Sequence, residues 1–162
     1  MTDLKPLLTK LRDADVEFVL VGGVAATAHG SARLTQDVDI VYARTPQNIA
    51  RLVDTLKPYA PYLRGAPPGL PFRWDAETIQ RGLNFTLTTK LGSLDLLGEI
   101  TGGGTYHDLL PESIEIKVFG VTCRCLDLDA LIRVKRAAGR PKDLEVIAEL
   151  EALREERDHK TD

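Results

Sequence analysis

The sequence predicts an α/β (α+β) protein with a helical C-terminus, and three patterns predict it. Short apolar runs that read as strands, "EFVLV" and "DVDIVYA", alternate with stretches of helical spacing within the first 56 residues. Two later segments, "NFTLTTKLGSLDLLGEI" and "IEIKVFGVTCRCLDL", read as strand pairs. From Asp127 onward the spacing is helical, and Gly139, Arg140 and Pro141 divide it into two helices.

Leu4, Leu7, Leu8 and Leu11 recur at helical spacing, so residues 3–13 read as an amphipathic helix with Thr2 or Asp3 as its N-cap. "EFVLV" follows as a buried strand. After the turn at Gly22-Gly23, "VAATAHG" is alanine-rich and ends on Gly30, which suits a short helix closed by a glycine. A period of two in "DVDIVYA" puts Val38, Ile40 and Tyr42 on one face and Asp37, Asp39 and Val41 on the other. Thr45 and Pro46 are the N-cap and first residue of a helix whose apolar stripe is Ile49, Leu52, Val53 and Leu56. Between Lys57 and Asp75 the composition shifts to prolines and aromatics, a loop longer than a connector needs. Two readings stay open for it: a functional loop, or a surface excursion whose aromatics cap the core. The hairpin that follows turns at Gly92, "GGGTYHDLLPES" is a second glycine-rich loop, and the last strand pair turns at Phe119-Gly120.

A chain of 162 residues suits one domain, 1–162, able to bury roughly two thirds of its unfolded surface. Hydrophobic residues at 43%, charged residues at 28% and a net charge of -3 are ordinary for a globular protein. With a pI near 5.7 they exclude a strongly basic surface that would coat nucleic acid. No apolar run approaches the roughly 20 residues of a membrane span, and the first residues lack the basic flank and apolar block of a signal peptide. The expected location is the cytoplasm, with no membrane partner. Cys123 and Cys125 sit two apart in a strand, a spacing unsuited to a disulfide, and no second Cys or His pair offers zinc spacing. Two half-buried thiols without chemistry are expected.

The residues that suggest chemistry are acidic. Magnesium prefers oxygen ligands, usually one or two carboxylates plus substrate phosphates, and Asp37-Val38-Asp39 puts two carboxylates on one face of a strand. Asp95 is the only acid of its strand and lies between leucines, so it needs a partner: a metal, or a buried arginine. Two metals held by three carboxylates would clamp the attacking and leaving oxygens of an in-line phosphoryl or nucleotidyl displacement. A strand that turns through Gly22-Gly23 into a helix also leaves backbone N–H groups at the positive end of the helix dipole, which favours polyphosphate. Each feature alone has a simpler origin, a tight connection or a solvated strand end. Their order along the chain carries the weight.

In that order, "VGGVAATAHGSARLTQDVDI" followed by "SLDLL" resembles the DNA polymerase β-type nucleotidyltransferase superfamily, whose pattern is a Gly-Gly or Gly-Ser turn, an Asp-x-Asp pair and a third Asp on a neighbouring strand. The tail "LDLDALIRVKRAAGRPKDLEVIAELEAL" is similar to the small prokaryotic branch related to abortive-infection and toxin–antitoxin systems. The resemblance runs from about Val16 to Leu153 and is strongest at these motifs. It implies a mixed β-sheet flanked by helices, and transfer of NMP from an NTP with Mg2+ or Mn2+ and release of pyrophosphate. By position, it implies that Gly22 and Gly23 bind the triphosphate, that Asp37 and Asp39 ligate the metals, and that Asp95 completes the second metal site and helps deprotonate the acceptor hydroxyl. Arg33 and Thr35 correspond to polar residues lining the nucleotide pocket, and Lys135, ahead of Arg140, Lys142 and Asp143, to a phosphate contact. For that last segment a solvated, salt-bridged helix junction is the other reading. The chain departs from many members at Gly23, where they carry a serine whose hydroxyl touches the triphosphate.

No separate acceptor-binding domain is legible. The acceptor implied is an RNA such as tRNA, a protein or a small molecule, chosen through residues 57–75 and 101–111 or through a partner, with a toxin or antitoxin as the expected one. A non-catalytic nucleotide-sensing or antitoxin-like module on the same fold is the alternative. Transfer of the aminoglycoside type calls for a cleft between two domains, which residues 57–75 are too few to build. His29 reads as a hydrogen-bonded packing residue rather than a phosphate contact, and His107 has no assigned role. For the acidic helix "DLEVIAELEALREERD", pairing with another chain and simple solvation are both open.

Overall fold

Proline and short polar caps set where the helices begin. The computed structural model describes residues 3–161, so Thr2 as a cap lies outside the described residues. Helix α1 (Lys5–Asp13) starts two residues later than the periodicity predicts: Pro6 occupies its first turn, Leu4 is the cap residue, and Asp3 Oδ1 accepts from the Lys5 N–H at 3.1 Å. Strand β1 (Phe18–Val21) runs directly into α2 (Gly22–Ala28), and β2 (Asp37–Tyr42) into α3 (Pro46–Leu56), where Thr45 caps the Asn48 N–H as expected. The remaining elements are β3 (Tyr62–Leu63), α4 (Ala76–Arg81), β4 (Phe85–Thr89), β5 (Gly92–Leu97), β6 (Glu99–Ile100), β7 (Gly104–Thr105), α5 (Tyr106–Leu109), β8 (Ser113–Val118), β9 (Val121–Leu126), α6 (Leu128–Ala138) and α7 (Pro141–Thr161).

Seven strands form one mixed sheet in the order β3-β4-β5-β2-β1-β9-β8, and β6 pairs with β7 apart from it. β2 runs parallel to β5, and β1 parallel to β9; the other neighbours are antiparallel. The inward stripes of α1 (Leu7, Leu8, Leu11) and α3 (Ile49, Leu52, Leu56) are fully buried together with Val38, Ile40, Leu94 and Leu96 of the central strands. Asn48, buried at 1% exposure, ties the strand ends down: its Oδ1 accepts from the Glu17 N–H at 2.7 Å, and its Nδ2 donates to the Glu17 and Ala43 carbonyls. Among the described residues no helix is long and apolar enough to cross a membrane.

Two sequence expectations change, and two segments gain detail the sequence did not supply. Residues 57–75 are not all loop, because Tyr62 and Leu63 add an edge strand to β4, opposite Thr88 and Leu87. The aromatics of this segment do pack inward: Phe72 meets Tyr62 edge-on at 6.1 Å, and Trp74 Nε1 donates to the Val53 carbonyl. Helix α4, capped by Asp75 on the Thr78 N–H, is invisible to periodicity because Ile79 is its one buried residue. Cys123 and Cys125 are free thiols, fully rather than half buried, and burial pushes them up to about 11 and about 12. Finally, the acidic face of α7 is used within the chain. Glu149 accepts from the Ser31 hydroxyl at 2.5 Å and from the Ala32 N–H, Arg33 pairs with Glu145 and Glu149, and Arg136 pairs with Glu151.

Candidate active site

Strand register assembles the acids. Val21, the last residue of β1, lies opposite Asp39 of β2, and Asp39 lies beside Asp95 of β5. Paired residues project to the same face of a sheet, so Asp39 and Asp95 meet there, with Asp37 two residues along. Leu94 and Leu96 point the other way into the core, which settles why an acid tolerates leucine neighbours.

The next step of the chain leaves room for this pair. Gly22 turns from strand to helix with φ +70, and a Cβ there would overlap Asp39 Oδ2 and stand 2.8 Å from Asp39 Cγ. No side chain caps this end of α2. Asp39 Oδ1 is buried and has no hydrogen-bond partner. Burial, then the side-chain hydrogen bond with Asp95, then the charges of Asp95 and Asp37 push the Asp39 carboxyl up to about 8, with Lys135 opposing.

Arg64, just past β3, supplies the cation. Its Nη2 lies 2.9 Å from Asp95 Oδ1, without the alignment of a hydrogen bond, and its Nη1 lies 3.8 Å from Asp37 Oδ2. Of the two partners open for Asp95, the arginine is therefore present. Sequence reasoning did not find which arginine, since nothing in "YLRGAPPG" marks the edge strand that delivers it.

The acids floor a cleft of about 520 Å3 whose far wall is α6 and the start of α7: Leu131, Val134, Lys135, Arg140, Lys142 and Asp143. Asp143 is 2% exposed and gathers the cations, with Lys135 Nζ at 3.6 Å and Arg140 Nε at 2.9 Å. Burial alone would raise the Asp143 pKa, but the Arg140 hydrogen bond and the Lys135 and Arg140 charges outweigh it and hold it low. The helix junction is thus salt-bridged, as one reading had it, and it also faces the cleft.

Asp37, Asp39, Asp95, Gly22 and Lys135 come together in this cleft. Arg33 does not: it points to α7 and lines a separate hollow with Ser31, Leu34, Thr35 and Phe119. His29 Nε2 is 2.8 Å from the Leu126 carbonyl, a packing role, and His107 lies beside Tyr42 and Arg44 in another hollow. Thr101, from the second glycine-rich loop, reaches the cleft rim.

The sequence matches no protein-family profile and no curated protein. Among solved structures, a Thermotoga maritima protein provisionally assigned as a nucleotidyltransferase superposes with a TM-score of 0.52 at 13% sequence identity, covering 96% of this chain and 91% of its own. The chain has the nucleotidyltransferase fold.

Within the nucleotidyltransferase fold the glycine at 23 has a local cause. A Cβ there would come within 2.7 Å of Thr35 Oγ1, which donates to the Asp37 carbonyl at 3.2 Å. A threonine hydroxyl already fills the space into which a serine would project. Gly23→Ser is therefore expected to destabilise the protein by about 1 to 3 kcal/mol, and Thr35→Ala to relieve much of that loss. Thermal melts of both single variants and the double variant give the coupling, and additive losses would show that the two positions do not compete.

Metal fit divides in the same way. Carboxylate oxygens suit a hard divalent cation, and among the described residues the buried Asp39 Oδ1 has no hydrogen-bond partner, while Asp39 Oδ2 faces the space that Gly22 leaves open. Among the described residues no group of three His, Cys, Asp or Glu is placed to hold a metal ion, and the Arg64 guanidinium reaches both Asp37 and Asp95.

Proposed function

We propose that the protein is a metal-dependent nucleotidyltransferase that moves NMP from an NTP to an acceptor hydroxyl. The observation that carries the reading is the row Val21-Asp39-Asp95 across three neighbouring strands, with the Gly22 turn opening directly onto it. Asp37, Asp39 and Asp95, which are not arranged as a three-ligand group while Arg64 occupies two of them, would have to converge to hold Mg2+ or Mn2+, which when bound would polarise the phosphoryl oxygens and lower the barrier to in-line attack. The backbone at Gly22 and Gly23 lies against the triphosphate, and Lys135, anchored by Asp143, neutralises it from the opposite wall. Asp95 accepts the proton of the attacking hydroxyl, at the edge nearest residues 62–64. Thr35 acts through Asp37, whose carbonyl it holds, and Arg33, paired with Glu145 and Glu149, faces a separate hollow.

The acceptor is an RNA such as tRNA, a protein or a small molecule, met where Arg64 reaches the acids and Thr101 lines the cleft. A toxin–antitoxin or phage-defence setting rests on the resemblance of the C-terminal segment, and a cytoplasmic location accords with it. Replacing Asp39 by asparagine removes a ligand charge and almost no volume, so transfer should fall by about a thousandfold or more while folding is kept. Label transfer from each NTP, wild type against Asp39→Asn, is the check, and equal turnover would refute the assignment of Asp39.

A further inference from the structure

Asp37, Asp39 and Asp95 crowd three carboxylates onto one patch of sheet, and the cations near them are unequally free. Lys135 is held by Asp143 across the cleft. Among the described residues Arg64 alone touches two of the three acids, and it is fixed from behind: its N–H donates to the Thr86 carbonyl at 2.9 Å and its Nη2 to the Leu87 carbonyl at 2.8 Å. Its Nε, also buried, has no hydrogen-bond partner. A guanidinium so placed is tethered to β4 while its tip faces the oxygens that a divalent ion would need. We infer that Arg64 is the resident counter-ion of the carboxylate cluster, and that a divalent cation binds by displacing its guanidinium from Asp95 and Asp37.

This rests on the proposed metal-dependent reading, and it adds a competitor that the reading does not contain. In the metal-free protein the guanidinium offsets part of the acids' charge, so Asp95 and Asp37 keep a cationic partner in a half-buried cleft. Binding a cation exchanges one partner for another. Its affinity is then lower than the three carboxylates alone would give, by the strength of the contacts Arg64 surrenders. The edge strand that looked like a loop in the sequence sets that strength.

Manganese titration followed by electron paramagnetic resonance of the free ion tests this without any turnover. Arg64→Gln should bind Mn2+ about tenfold more tightly than wild type, the worth of a surrendered charge-assisted contact. Arg64→Lys keeps the charge but cannot span Asp95 and Asp37, so it too should bind more tightly than wild type. Equal or weaker binding by Arg64→Gln overturns the inference. So does a lysine variant that matches wild type while the glutamine variant tightens, because a distant field and not displacement would then be acting. Asp39→Asn separates the two levels: binding lost in that variant but indifferent to Arg64 overturns the counter-ion alone, and binding that never depends on Asp39 overturns the site and the counter-ion together.

Discussion

Replacing Gly22 with alanine is expected to lower the melting temperature by roughly 10 °C and to remove activity with it. Two costs add at that position. A left-handed backbone angle of φ +70 costs a residue with a Cβ about 1 to 2 kcal/mol, and the methyl would overlap the Asp39 carboxylate. Asp39 cannot retreat easily, since its backbone is paired on both sides, with β1 and with β5. Gly23, outside that angular region and facing only a threonine hydroxyl, should be the milder of the two glycines. A circular-dichroism melt of each alanine variant ranks them, and a Gly22→Ala protein that melts like wild type would show that the turn does not press on Asp39.

Asp39 should also give the protein a pH dependence of the less common sign. Its carboxyl titrates near 8 in the fold, against 3.8 for the ordinary group, so between those values the folded chain binds more protons than the unfolded one. Stability on this account is greatest below about pH 4 and declines as pH rises toward 8. Asp39→Asn removes the decline. In the presence of a chelator the variant should melt above wild type by roughly 5 °C at pH 8 and alongside it near pH 4, taking about 2 kcal/mol for a site that keeps some water and faces Lys135. Identical pH profiles for the two proteins would mean that Asp39 ionises freely in the fold.

Much of the site was legible because it is written locally. Gly22-Gly23, Asp37 and Asp39 stand within 18 residues, and the period of two alone predicts that the aspartates share a face. Asp95 was legible as a charge in need of a partner. What the sequence could not supply was the partner, because Arg64 arrives through a two-residue edge strand inside a proline-rich stretch, where no periodicity can build up. Arg33 misled for the opposite reason: it lies close to the acids in the chain, yet Glu145 and Glu149, more than a hundred residues away, draw it to α7. The same contacts show that part of the acidic C-terminal helix is used within the chain, through partners too distant in sequence to be read from its own pattern. Helix α4 escaped because one buried isoleucine and an aspartate cap hold it, without an apolar stripe.

The most direct test of the central claim is the fate of the two ends of the triphosphate. With magnesium, bulk tRNA and a cell lysate as acceptors, α-phosphate-labelled NTP should leave its label on an acceptor, γ-phosphate-labelled NTP should leave its label in pyrophosphate, and the Asp37→Asn, Asp39→Asn double variant should do neither. Label from the γ position on the acceptor, or α-label transferred equally by the double variant, would contradict nucleotidyl transfer at this cluster.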